Sequence, residues 1–138
     1  MLNLVLALLA GVITPATIVG CPGHYQLGDR QWYCWKFKGG HGSVDMVKSI
    51  VQSCDTYYYM LANDLGVDAI HDFMAPLGLG QLTGIDMQGE LRGTLPSTEW
   101  KKKAYRKAEQ QRWYAGETIS LGIGQGYNNF TMLQLASA

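Results

Sequence analysis

Apolar positions along this chain come in short runs whose period changes three times. Residues 3–9 are apolar at nearly every position and meet Gly11, so they read as a short buried helix, with Val12-Ile13-Thr14-Pro15 turning the chain away. Across residues 17–42 the helical period is lost. Cys21-Pro22-Gly23, Gly28-Asp29 and Gly39-Gly40 punctuate short strands or loops around the aromatic run Trp32-Tyr33-Cys34-Trp35. Helical spacing resumes at Val44, Val47, Ile50 and Val51, which share one face. Ser43 is the expected N-cap there, and Asp45 falls in the first turn, where the helix dipole favours a carboxylate. A second helix is expected from Ser53 or Asp55 to Leu65, closed by Gly66. A third, capped by Asp68, should bury Ile70, Phe73, Met74 and Leu77. Residues 78–96 are rich in turns, with Thr83-Gly84-Ile85-Asp86 as entry to a short strand. Residues 101–112 read as a basic, helix-permissive surface. Residues 119–126 are interrupted by glycine, and residues 131–138 begin another helix.

Composition narrows this picture. A length of 138 residues with 47% hydrophobic content supports one core and is too short for two ordinary domains. Eleven basic residues balance eleven acidic ones, so nothing at whole-chain level attracts nucleic acid. The apolar start resembles the core of a signal peptide, yet no Lys or Arg precedes it and it is too short to span a bilayer. A buried helix is therefore the preferred reading. Nothing else approaches the ~20 consecutive apolar residues of a membrane span.

Two groups of residues carry candidate chemistry. Ser53-Cys54-Asp55 precedes the helix-like run Thr56-Tyr57-Tyr58-Tyr59; Ser and Asp at such places commonly cap helices, and capping does not exclude catalysis. The second group is Cys21, Cys34, His41 and Cys54, with twelve, six and twelve residues between them. Three thiolates and an imidazole complete a tetrahedral set for structural Zn2+, leaving no open position for catalysis, although this spacing is not a zinc-knuckle pattern. A Cys21–Cys34 disulfide or inert buried thiols compete with zinc. His24 is an inferior ligand because it lies so close to Cys21, and His71 reads as a helix-surface residue. The basic run at 101–112 is expected to be solvated, and Trp32, Trp35, Tyr57, Tyr58 and Tyr59 to belong to the core.

Separated strings then point one way. They are Gly11-Val12-Ile13-Thr14-Pro15, Cys21-Pro22-Gly23-His24-Tyr25-Gln26-Leu27, Gly40-His41-Gly42, Ser53-Cys54-Asp55-Thr56-Tyr57, Thr83-Gly84-Ile85-Asp86 and Gly122-Ile123-Gly124-Gln125-Gly126-Tyr127. Together, and in this order, they resemble the transpeptidase domain of the penicillin-binding protein 2 family over essentially the whole chain. Ser53-Cys54-Asp55 is similar to the second of that family's three motifs. The Ser-x-x-Lys and Lys-Thr/Ser-Gly motifs do not occur in these residues.

The resemblance implies an α+β fold: the mostly helical lobe of a penicillin-binding/β-lactamase-like transpeptidase domain, truncated at both ends, with the five-stranded sheet largely missing. It implies that the nucleophilic serine and its lysine lie just before residue 1, that Lys-Thr/Ser-Gly follows Ala138, and that the chain alone is inactive. Ser53 and Asp55 would be the catalytic residues present, Ser53 relaying a proton to the departing D-alanine nitrogen. Asp55 stands where many relatives have Asn, and when ionised it accepts hydrogen bonds but cannot donate them. Relatives can carry a metal beside this motif, with carboxylates where Cys21 and Cys34 stand here. Implied partners are peptidoglycan stem peptides, β-lactams and membrane proteins of the elongation machinery, at the periplasmic face of the inner membrane. The competing expectation is a non-catalytic zinc-stabilised binding module.

Overall fold

The computed structural model describes residues 2–86 and 88–138. Helix α1 (Leu2–Leu9) leads into strand β1 (Val19–Cys21), the hairpin β2 (His24–Leu27) and β3 (Arg30–Tyr33), and β4 (Gly42–Val44). Helices α2 (Met46–Val51), α3 (Asp55–Leu65) and α4 (Val67–Met74) follow, then a long loop. Helices α5 (Thr98–Ala104), α6 (Ala108–Gln111), α7 (Ala115–Gly122) and α8 (Met132–Ser137) complete the chain. The strands form two separate antiparallel pairs, β1 with β4 and β2 with β3. Helices dominate and the strands serve as clasps.

The centre is α3. Tyr57, Leu61 and Ala62 on it are fully buried, packed among Leu4, Ala7, Ile13 and Val44 on one side and Ile70, Met74 and Leu79 on the other. Helix α7 lies against α3 because Gly122 carries no side chain: a Cβ there would sit 2.4 Å from the Tyr58 carbonyl oxygen. Asn3, itself buried, ties α1 to the end of α7 through its Nδ2, which donates to the carbonyls of Leu121 and Gly122 at 3.4 and 3.3 Å. So α1 is buried on one face only; Leu4 and Ala7 point inward while Val5 and Leu9 stay exposed.

Several expectations need correction. Ser43 caps nothing: β4 continues to Val44, which pairs with Val19, and the cap moves to Asp45, whose carboxylate accepts the Lys48 N–H at 2.8 Å. Val44 is buried as a strand residue, whereas Val47, Ile50 and Val51 on α2 face outward. Strand pairing overrode a helical period of four residues. Gly66, not Asp68, precedes α4; the Asp68 carboxylate accepts the backbone N–H and hydroxyl of Thr98, both at 2.8 Å. On α4 Ile70 and Met74 are buried, but Phe73 and Leu77 only half-buried. Residues 83–86 form no strand; the Glu90 carboxylate closes that loop by accepting from Thr83. Of residues 119–126, expected to be interrupted by glycine, 119–122 complete helix α7, and the helix ends there, before Gly124 and Gly126 at positive φ. The expected final helix is present, with Thr131 and Gln134 capping each other's backbone N–H groups.

Candidate functional site

Residues 52–55 make a sharp corner between α2 and α3. Ser53 has φ +49°, the one non-glycine residue with positive φ among the described residues. That left-handed conformation costs a side-chain-bearing residue about 1–3 kcal/mol and persists only where neighbours over-determine it. Here the Ser53 N–H donates to the Ile50 carbonyl at 3.2 Å and the Cys54 N–H to the Ser49 carbonyl at 3.0 Å. The Ser53 side chain is exposed, while Cys54, one residue on, is fully buried.

Capping is not what these side chains do. Cys54 occupies the N-cap of α3 without a side-chain cap bond, and Asp55 is the first helical residue. The Asp55 carboxylate accepts the backbone N–H of Trp35 at 2.8 Å, and the Trp35 indole Nε1–H donates to the Gln52 carbonyl at 2.9 Å. Ser53 and Asp55 both line a cleft of about 810 Å³, shared with Ser49, Tyr58, Asn3 and Asn128. On its other side Ser53 borders a hollow of about 590 Å³ with Trp35, His41 and Gln52. A free hydroxyl at the rim of a cleft, held on a strained turn, is well placed to pass a proton.

Behind that corner the structure brings Cys21, Cys34, His41 and Cys54 together, as the residue types suggested. All four are buried, and their ligand atoms lie within 4.8 Å of one another. His41 Nδ1 is 3.5 Å from both Cys21 Sγ and Cys34 Sγ, and all three cysteines are free thiols. Local backbone explains the convergence. Cys21 ends β1, Cys34 directly follows β3, and Cys54 is carried by the corner. His41 is brought in by the Gly40 turn, where φ is +62° and a Cβ would lie 2.0 Å from the Cys21 carbonyl oxygen. His24 and His71 stand outside the group.

The thiols do not share one electrostatic environment. Burial works to raise Cys21, but hydrogen bonds with Thr56 and with His41 outweigh it and bring the group down to about 6. Burial pushes Cys54 up to about 12; a backbone bond involving Tyr57 opposes this, while Cys21 and Cys34 add to the rise. Three buried thiols cannot all ionise beside one another without a cation. His41 Nε2 is buried with no partner.

A second polar assembly lies at α5 and α7. Lys101, expected on a solvated basic face, is instead 3% exposed and paired with Glu117. Its Nζ sits 5.4, 5.4 and 5.5 Å from the ring centroids of Trp113, Tyr114 and Tyr127. Burial acts to raise the Glu117 carboxyl, but Lys101, the Tyr114 N–H and the Tyr127 hydroxyl together hold it below the usual carboxylate range. Lys102 and Lys103 remain exposed, as expected. Sequence reading also missed Trp35, which is 61% exposed rather than core, and Thr56, whose Oγ1 lies 3.2 Å from Cys21 Sγ. Trp35 gave one usable signal, its position directly after Cys34 in a turn.

Residues 1–138 match the family described as penicillin binding protein transpeptidase domain. The chain is 42% identical over 134 residues to the peptidoglycan D,D-transpeptidase MrdA of Escherichia coli K12, covering 96% of this chain and 20% of that protein. It superposes on Pseudomonas aeruginosa penicillin-binding protein 2, solved in complex with WCK 5153, with a TM-score of 0.89 and 45% identity, over 99% of this chain and 30% of that one. The Helicobacter pylori protein of the same name, solved in complex with MreC, gives 0.82 and 30% identity, over 96% and 24% respectively. The chain thus spans about one fifth of the length of the curated relatives it matches.

Proposed function

Since the chain belongs to the penicillin binding protein transpeptidase domain family, we propose that it is the proton-relay lobe of a serine-type D-Ala-D-Ala transpeptidase that cross-links peptidoglycan during cell elongation. The observation that carries this is the Ser53 hydroxyl, exposed on a left-handed turn at the rim of the cleft it shares with Asp55. The chemistry is acyl transfer. A serine hydroxyl attacks the carbonyl of the penultimate D-alanine and gives up its proton to a base; the C–N bond breaks, and the departing D-alanine nitrogen takes a proton. Ser53 relays that proton, accepting one and donating another. Asp55, with one oxygen engaged by Trp35, holds the corner and offers its remaining acceptor capacity to the lysine or a substrate amide. The nucleophile and its lysine come from a Ser-x-x-Lys outside these residues, which contain none. A β-lactam acylates the same serine.

We further propose that Cys21, Cys34, His41 and Cys54 hold Zn2+. The fit rests on four buried, convergent donors and on Nδ1 lying 3.5 Å from two of the sulfurs. Bound there, zinc would crosslink residues 21–41 to the α2–α3 corner; with four protein ligands it would have no open position for substrate. In the whole protein the site would face the periplasm at the inner membrane, with partners of the MreC kind. Among the described residues no helix is long and apolar enough to cross a membrane.

Fluorescent penicillin tests the enzymatic reading. The 138-residue chain alone should take up no covalent label, whereas the full-length protein carrying it should be labelled, and Ser53→Ala in that protein should slow labelling at least tenfold. Labelling of the isolated chain, or a Ser53→Ala variant as fast as wild type, would overturn the assignment.

A further inference from the structure

We propose that Trp35 is the positioning residue for Ser53, an inference that rests on the relay reading above. The Ser53 turn is strained, and strain needs anchors on both sides of it. Trp35 supplies both. Its indole Nε1–H donates to the carbonyl of Gln52, immediately before Ser53, and its backbone N–H donates to the carboxylate of Asp55, two residues after. One residue therefore brackets Ser53 and Cys54 from outside the corner. No other residue donates to both flanks among the described hydrogen bonds.

Trp35 does not earn its place by burial. The side chain is 61% exposed, so little of its apolar surface is withdrawn from water, yet both of its N–H groups are engaged. Its ring meets His41 edge-on, with centroids 5.2 Å apart, and Cys34 is its chain neighbour. Trp35 thus connects the sulfur cluster to the serine: one edge of the indole leans on His41 and its N–H reaches the Gln52 peptide. Among the described hydrogen bonds Gln52 is engaged only through its backbone, and its side-chain Oε1 is buried without a partner. If the indole donor is lost, the peptide before Ser53 keeps its α2 bond but loses its outer restraint, and the hydroxyl is free to leave the relay position.

The test uses the full-length protein that carries these residues and fluorescent penicillin under pre-steady-state conditions, which separates the binding constant from the acylation rate constant. Trp35→Phe keeps a ring against His41 and the backbone N–H to Asp55, but removes the indole donor. Its acylation rate constant should fall about tenfold, the loss of one well-made hydrogen bond in the reacting state, with the penicillin binding constant, melting temperature and bound metal unchanged. Replacing Trp35 with benzothienylalanine, which puts sulfur where the N–H was, should give the same rate loss without altering shape. Wild-type rates in both variants would overturn the proposal. So would a rate loss matched by lost metal and a lowered melting temperature, which would make Trp35 a structural residue. If the wild-type protein takes no label, the relay reading itself fails; if it labels and the variants do not slow, only the role of Trp35 does.

Discussion

The sulfur cluster at Cys21, Cys34, His41 and Cys54 and the aromatic-walled pair at Lys101 and Glu117 face the same electrostatic problem. Each withdraws groups capable of negative charge from water. The pair solves the problem internally: Lys101 supplies the cation, three aromatic faces stabilise it, and Glu117 stays ionised. The cluster brings three thiols and one imidazole together without a lysine or arginine among them, and among the described residues no hydrogen-bond partner meets the outer nitrogen of His41. One region is electrostatically closed by its own lysine, and the other would be closed by the Zn2+ proposed above. That second region includes Cys54, the chain neighbour of Ser53.

Removing the proposed Zn2+ gives the largest effect expected. Purified protein should contain about one equivalent of zinc, and a strong chelator should strip hydrogen-exchange protection from β1, β3 and β4 while α7 keeps its own. Structural zinc contributes roughly 10–16 kcal/mol of apparent free energy in small domains, well above what the short strand pairs supply. Protection unchanged by chelation would break the contrast between the two regions.

At the closed pair the expected cost is smaller but still large. Lys101→Ala leaves the half-buried Glu117 without its cation, which should destabilise the fold by about 1–3 kcal/mol in chemical denaturation. Adding Glu117→Gln should recover part of that loss. A single variant within ~0.5 kcal/mol of wild type would mean the pair is effectively solvated.

Acid sharpens the comparison most gently. Glu117 has a folded-state pKa below its unfolded one. Its contribution is therefore fully present above the unfolded value and is lost as pH falls through the folded value. Stability measured from pH 6 down to 3 should decline less steeply in Glu117→Gln than in wild type. Parallel curves would remove Glu117 from the account of acid sensitivity.

Residue type made one of these regions legible and hid the other. Three cysteines and a nearby histidine are scarce enough that their chemistry stands out at any spacing. Lys101 is the first of three successive lysines, and nothing local tells which of them turns inward. Trp35 was misplaced for a related reason: an aromatic residue in a run of aromatics suggests a core, and only the positions of Gln52 and Asp55 across the corner make an exposed one useful. On α2, Val47, Ile50 and Val51 share a helical face, yet β4 captured Val44 and that face remained outside.

By itself the order of residues determined the helix-rich character, the strand-and-turn stretch before Gly42, the presence of the last helix and the family to which the chain belongs. These depend on local periods, turn chemistry and motifs that survive in one dimension. Tertiary structure alone decided that Ser53 sits on a left-handed turn, that Asp55 bonds to Trp35 instead of capping α3, and that one lysine of three is buried. Those outcomes follow from where distant donors, carboxylates and rings come to lie, and a buried charge or a strained turn is tolerated only once its partners have arrived.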